Sequence, residues 1–115
     1  MRLREIVSSV VVDPRKLTEY ALNPDNPVGG DKALVFERRL GYTKDNYEVL
    51  LEQIQSGVLE GEAVPKLADL HGQRYQVDLE VSGVEGQRAI VRTGWIVEPR
   101  SAVARLVTLY VRKQS

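Results

Sequence analysis

Cysteine is absent from the 115 residues, so no disulfide and no thiolate metal site can form, and the single histidine, His71, leaves no His-rich ligand set. Lys and Arg number 16 and Asp and Glu 16, so the formal net charge is zero and the strong positive field of a non-specific nucleic-acid binder is missing. No apolar run approaches the roughly 20 residues that a membrane-spanning helix needs. The opening MRLREIVSSVVV has only a short, Ser-interrupted apolar stretch and no small-residue cleavage site. These absences lead to the expectation of a cytoplasmic protein with no membrane contact, no cofactor and no bound metal. What is present is 43% hydrophobic residues in a length that holds one domain, residues 1–115, with a core of its own.

The charge is unevenly spread. Residues 1–40 carry seven basic and six acidic side chains, residues 41–70 two and six, and residues 71–115 seven and four, so the C-terminal third is locally basic. Its arginines fall among strand-like segments. No internal repeat, low-complexity tract or domain linker interrupts the chain.

The β-branched run at 5–12 reads as a strand, and Asp13-Pro14 stops it and starts a helix from about Pro14 to Leu22. Asn23-Pro24, Asn26-Pro27 and Gly29-Gly30 form a tight connection. A second helix begins at Asp31 as its cap and carries Ala33, Phe36 and Leu40 on one face before Gly41. Thr43 caps a third, with Tyr42 and Tyr47 as a hydrophobic staple and the stripe Tyr47, Leu50, Leu51, Ile54, Val58. Residues 59–72 read as a surface loop with at most a turn of helix near Lys66–Leu70. Three strands follow, Gln73–Val81, Gln87–Val97 and Arg105–Arg112, joined by connections short enough to force hairpins. The expected fold is therefore α+β: three N-terminal helices packed on one face of a three- to four-stranded antiparallel meander.

Alternation sorts the strand residues into two faces. Tyr75, Val77, Leu79, Val81, Ala89, Val91, Thr93, Trp95, Val97, Val107, Leu109 and Val111 form the face that takes the helices. Arg74, Gln76, Asp78, Glu80, Arg88, Ile90, Arg92, Ile96, Leu106, Thr108, Tyr110 and Arg112 form the other. That second face is more apolar than a solvated one should be, and Ile90, Ile96 and Leu106 on it suggest a twofold copy, so a homodimer or another protein partner is expected.

The blocks LNPDNPVGGDKALVFERRLGYTK (22–44), HGQRY (71–75), IVRTGWIV (90–97) and ARLVTLYVR (104–112) together resemble domain-of-unknown-function family six-eight-eight-three, a group of small bacterial proteins. The family pattern in the first block reads NP-x-HP-x-G-x-HKA, and Asn26 and Asp31 stand here where it has histidines. Histidine chemistry in that loop is thus not implied for this chain. The order of helices and then meander is also similar to that of small bacterial toxin ribonucleases, a likeness of fold alone.

Arg74, Asp78, Arg92, Thr108 and Tyr110 share the polar sheet face and are the candidate binding residues. Arg74, Arg92 and Tyr110, with His71, are the candidates for catalysis, because metal-independent RNA cleavage needs a group that polarises the 2′-hydroxyl and cations for the phosphate. The plainer reading of the same face is a set of cross-strand ion pairs between Arg74 or Arg92 and Asp78 or Glu80. His71 alone in a polar loop is ordinarily unremarkable, Gly29-Gly30-Asp31-Lys32 lacks the spacing of a phosphate loop, and Trp95 reads as a core anchor. Two functions follow: a non-catalytic accessory or protein-interaction domain, preferred on these residues, and a small metal-independent ribonuclease of toxin type, or a degenerate relative, that would take RNA.

Overall fold

Alternating β-branched residues in the C-terminal half form the centre of a five-stranded sheet in the computed structural model, which describes residues 1–113. In chain order the strands are β1 (Ser9–Val11), β2 (Ala63–Asp69), β3 (Gly72–Ser82), β4 (Arg88–Val97) and β5 (Val103–Val111). Across the sheet the order is β1-β5-β4-β3-β2. All neighbours are antiparallel except β1, which runs parallel to β5 from Ser9↔Val103 to Val11↔Arg105. The sheet is mixed, and the expected antiparallel meander under three helices is not what the chain adopts.

The helical layer differs as well. Residues 5–12 are mostly not strand: a 3-10 turn over Leu3–Glu5 precedes the three residues of β1. The first expected helix is a short π-helical stretch, Lys16–Ala21, behind Asp13, whose Oδ1 accepts the Arg15 amide at 3.0 Å. Two α-helices follow, α1 (Gly30–Leu40) and α2 (Tyr47–Gly57). Asp31 lies in the first turn of α1 rather than at its cap, which is Gly29. Thr43 does act as a cap, accepting the Asp45 amide at 3.2 Å, and 3-10 turns at Lys44–Asn46 and Val58–Glu60 extend the helical run on both sides of α2.

The expected loop at 59–72 is instead a turn followed by β2. Its pairing with β3 holds from Ala63↔Val77 to Asp69↔Gly72 with an irregularity between Pro65 and Ala68. Only Ala63 of this strand is buried, so burial left no alternation in the sequence to reveal it, and a proline is tolerated because β2 is at the sheet edge. The hairpin closes through Gly72, whose φ of 138° and close approach to the Val97 carbonyl leave no room for a side chain.

The core is built from one sheet face and the helices. Trp95, Phe36, Tyr42, Leu17, Leu50 and Ile54 are fully buried in it, with Val77, Val81, Val91 and Leu109 beneath. The parity expected for β3 and for buried Ala89, Val91, Thr93 and Trp95 holds. In β5 it breaks: Gly94 faces Thr108 but Trp95 faces Leu106, so Val107 is an extra residue. This bulge turns Leu106 into the core, at 4% exposure, and Ile96 is 9% exposed. The apolar patch of Ile90, Ile96 and Leu106 that suggested a twofold copy is therefore largely covered within the chain.

Helix α2 is tied to the end of β3 by its own polar residues. Gln53 Nε2 donates to the Tyr42 hydroxyl at 2.8 Å and the Ser82 carbonyl at 3.0 Å, and Gln53 Oε1 accepts the Ser82 amide at 2.9 Å. On the opposite side, β1 covers β5 only as far as Arg105. Beyond it, the π-helical stretch and α1 lie along the second half of β5.

Candidate functional site

Strand register sets one row of side chains on the outer face: Asp78 pairs with Arg92 across β3 and β4, and Arg92 with Tyr110 across β4 and β5. The next row holds Gly94 and Thr108. Arg92 Nε and Nη2 donate to the two Asp78 oxygens at 2.9 and 3.1 Å, and Arg112 Nη1 donates to Asp78 Oδ2 at 3.3 Å. The Arg92 hydrogen bonds hold the Asp78 carboxyl below the usual range against an opposing effect of burial. In return, Asp78 first and the Tyr110 hydroxyl second fix the positive charge on Arg92.

Two side chains reach this face from the helical layer around the β5 edge. Lys32, in the first turn of α1, donates from Nζ to the Tyr20 hydroxyl at 2.8 Å. The same ammonium lies 5.2 Å from the ring centre of Tyr20, which it meets at the hydroxyl edge, and 5.1 Å from that of Tyr110, whose π-system it approaches without a hydrogen bond. The Tyr20 hydroxyl is also 3.4 Å from Thr108 Oγ1. The Lys32 hydrogen bond, followed by that of Thr108, pulls the Tyr20 phenol below its ordinary range.

The connection between Tyr20 and Lys32 is made rigid by Asn26. Its Oδ1 accepts the amides of Val28 and Gly29 at 2.8 and 2.9 Å, while its Nδ2 donates to the Glu19 carbonyl at 2.9 Å. Gly29 then passes against Tyr20 so closely that a Cβ would lie 2.8 Å from the Tyr20 carbonyl oxygen and 3.1 Å from the ring. Asn26 and Gly29 thus fix the separation of the phenol and the ammonium.

Between α1 and the end of β5 opens a cleft of about 720 Å³. Lys32, Val35 and Arg39 line it from one helix face, and Arg92, Tyr110, Val111, Arg112 and Lys113 from the sheet, with Asp31 at the side. Five cationic side chains and one carboxylate line it, and although Asp78 pairs with Arg92 and Arg112 just outside, a chain of zero net charge keeps a net positive lining here.

Of the residues proposed from sequence, the fold brings Asp78, Arg92, Thr108 and Tyr110 together. Arg74 is on the same face but pairs with Ile96, four residues along β3 from Asp78, or about 13 Å. His71 is exposed in the β2–β3 turn, where its amide donates to Asp69 at 2.8 Å. Glu80 pairs with Arg88 rather than with Arg74 or Arg92. Sequence alone singles out neither Tyr20 nor Arg39, and it brings in Lys32 only within a phosphate-loop spacing that fails and Asn26 only as a position where the family pattern has a histidine. Among the described residues no group of three or more His, Asp or Glu is arranged to hold a metal ion.

Fold and cleft define a small α+β domain in which a positively charged groove, walled by a helix and a mixed sheet, holds a lysine between two tyrosines. The chain belongs to the family described as Domain of unknown function (DUF6883), whose model matches residues 2–113, as the sequence blocks had indicated. No curated protein matches it in sequence. Its fold is similar to that of a chain in the "Contact-dependent growth inhibition toxin - immunity protein complex from Klebsiella pneumoniae 342", with a TM-score of 0.70, 19% identity, and coverage of 96% of this chain and 99% of that one. No helix among the described residues is long and apolar enough to cross a membrane.

Proposed function

We propose that this protein is an RNA-cleaving domain of toxin type, acting through its own side chains on a phosphodiester seated in the cleft beside β5. The observation that carries this is the position of Lys32, an ammonium held between Tyr20 and Tyr110 rather than against a carboxylate and facing the same cleft as Arg92. Such a constellation supplies what transesterification of RNA needs. The 2′-oxygen attacks the adjacent phosphorus, the bond from phosphorus to the 5′-oxygen breaks, and a 2′,3′-cyclic phosphate and a free 5′-hydroxyl result. Tyr20 Oη, in the deprotonated form that the Lys32 hydrogen bond favours, takes the proton from the 2′-hydroxyl, while Lys32 gives a proton to the departing 5′-oxygen and regains one from Tyr20 Oη across their 2.8 Å hydrogen bond. Arg92 and the Tyr110 hydroxyl donate to the non-bridging oxygens as charge develops. The fold shared with a chain of a toxin–immunity complex supports the toxin setting.

The test is incubation of the purified protein with single-stranded RNA and analysis of the ends produced. Cyclic phosphate ends are expected, with Lys32→Ala slowing cleavage by about a hundredfold or more at unchanged thermal stability. Growth arrest on expression, relieved by Arg92→Ala, is the expected counterpart in cells. A folded wild-type protein that leaves a range of RNAs intact overturns the reading.

The second reading is a protein-interaction domain without catalysis, favoured by the fact that the similar structure is a complex of two proteins. It predicts a stable complex with a protein partner that survives Lys32→Ala.

A further inference from the structure

We propose that the part of the cleft between α1 and the end of β5 is a nucleotide subsite: it takes the base next to the scissile bond against Val35, Tyr110 and Val111, and the following phosphate on Arg39 and Arg112. This rests on the reading of the cleft as an RNA site, and adds which part of it binds rather than cleaves. Lys32, Val35 and Arg39 recur at spacings of three and four along one face of α1, with about 10 Å of helix between the two cations. Each end of the groove is therefore positive and its middle is apolar. A nucleotide within a strand has the matching pattern, a flat and largely apolar base between two anionic phosphates.

The dimensions agree with this occupant, since the whole cleft of about 720 Å³ falls within the range of small-molecule sites and exceeds what the scissile phosphate alone fills. Arg39 is half-buried and makes no ion pair among the described residues, whereas Arg92 has Asp78 as a fixed partner. Asp78 also takes one hydrogen bond from Arg112 at 3.3 Å, which leaves the remaining donors of that guanidinium for a ligand. An extended acidic peptide would satisfy the cations but offers no flat ring to lie on the part of Val35 and Tyr110 that the core leaves uncovered.

The experiment measures binding separately from cleavage, with a fluorescent tetranucleotide carrying 2′-O-methyl groups so that it cannot react. Arg39→Glu and Val35→Trp are each expected to weaken its binding about tenfold or more, while Lys44→Glu, an exposed change outside the cleft, leaves binding unaltered. An abasic residue at one of the two nucleotides flanking the cleavage position is expected to cancel the effect of Val35→Trp and preserve that of Arg39→Glu. Should Arg39→Glu fail to fold, Arg39→Ala gives the same reading with a smaller change. Wild-type affinity in both variants, with Lys32→Ala still abolishing cleavage, overturns the subsite and leaves the ribonuclease reading standing. Binding weakened by both variants in a protein that cleaves no RNA supports the subsite and overturns the cleavage step. No binding of the tetranucleotide by the wild type, or capture of an acidic peptide in its place, overturns both.

Discussion

Asp78 and Arg92 face each other in register across β3 and β4, and both carboxylate oxygens receive a guanidinium N–H, at 2.9 and 3.1 Å. Each side chain is 28% exposed, so the pair is neither buried at full desolvation cost nor screened as a free surface pair. Asp78→Asn is expected to cost about 1 kcal/mol at neutral pH. The pH dependence has a definite sign. Arg92 depresses the carboxyl in the folded state, so the unfolded chain binds more protons below the ordinary value of about 3.9. The stabilisation is complete above that value and is lost as pH falls through the folded one. Urea titrations of wild type and variant near pH 7 and near pH 3 check this: the difference between them should shrink at the lower pH, and a constant difference would falsify the assignment.

Lys32 lowers the Tyr20 phenol because its ammonium donates to the oxygen that becomes negative. Lys32→Met is expected to return Tyr20 toward the ordinary tyrosine value of about 10. Ultraviolet titration of each protein against its Tyr20→Phe counterpart isolates this one phenol from the other four in the chain. A Tyr20 titration unmoved by Lys32→Met would mean that Lys32 does not govern the phenol, and the assignment of Tyr20 as proton acceptor would fall with it.

Local rules exposed part of this arrangement. Alternation placed Asp78, Arg92 and Tyr110 on one face because β3 and β4 are long, regular and half-buried, and Thr43 was recognisable as a cap because its chemistry is local. The misses were non-local or lacked a burial pattern. Three residues of β1 are too few to show a period, and their parallel pairing with β5 spans more than ninety positions. Strand β2 is exposed on both faces after Ala63, so it has no alternation to read. One bulge residue, Val107, reversed the face of Leu106. Tyr20 and Lys32 enter the site only because β1 ends early and leaves the edge of β5 to the helical layer, which no local pattern announces.

Asn26 is the residue through which that layer is positioned. It satisfies two loop amides and one carbonyl, so Asn26→Ala leaves those groups to find water and loosens the connection between Tyr20 and Lys32. A stability loss of about 1–3 kcal/mol is expected, together with a larger loss of the proposed RNA cleavage than the change in folded fraction explains. The two are separated by measuring cleavage well below the melting temperature. Cleavage that tracks folded fraction alone would make Asn26 a purely structural residue.

Among the described residues Thr93 is the one buried polar residue, and its hydroxyl links two strands and a ring. It donates to the Val77 carbonyl at 2.6 Å and accepts the Trp95 indole N–H at 2.7 Å. Thr93→Val keeps the shape but removes both bonds, and a fully buried indole N–H then has no partner. The expected cost is about 1–3 kcal/mol, most of it from the stranded donor. Trp95→Phe in the Thr93→Val background removes that donor, so the double variant should lose less than the sum of the two single losses. Equilibrium unfolding of the four proteins measures the coupling directly. Additive losses would show that the Trp95 N–H is not held by Thr93, and would shift the anchoring of the indole to burial in the apolar core alone.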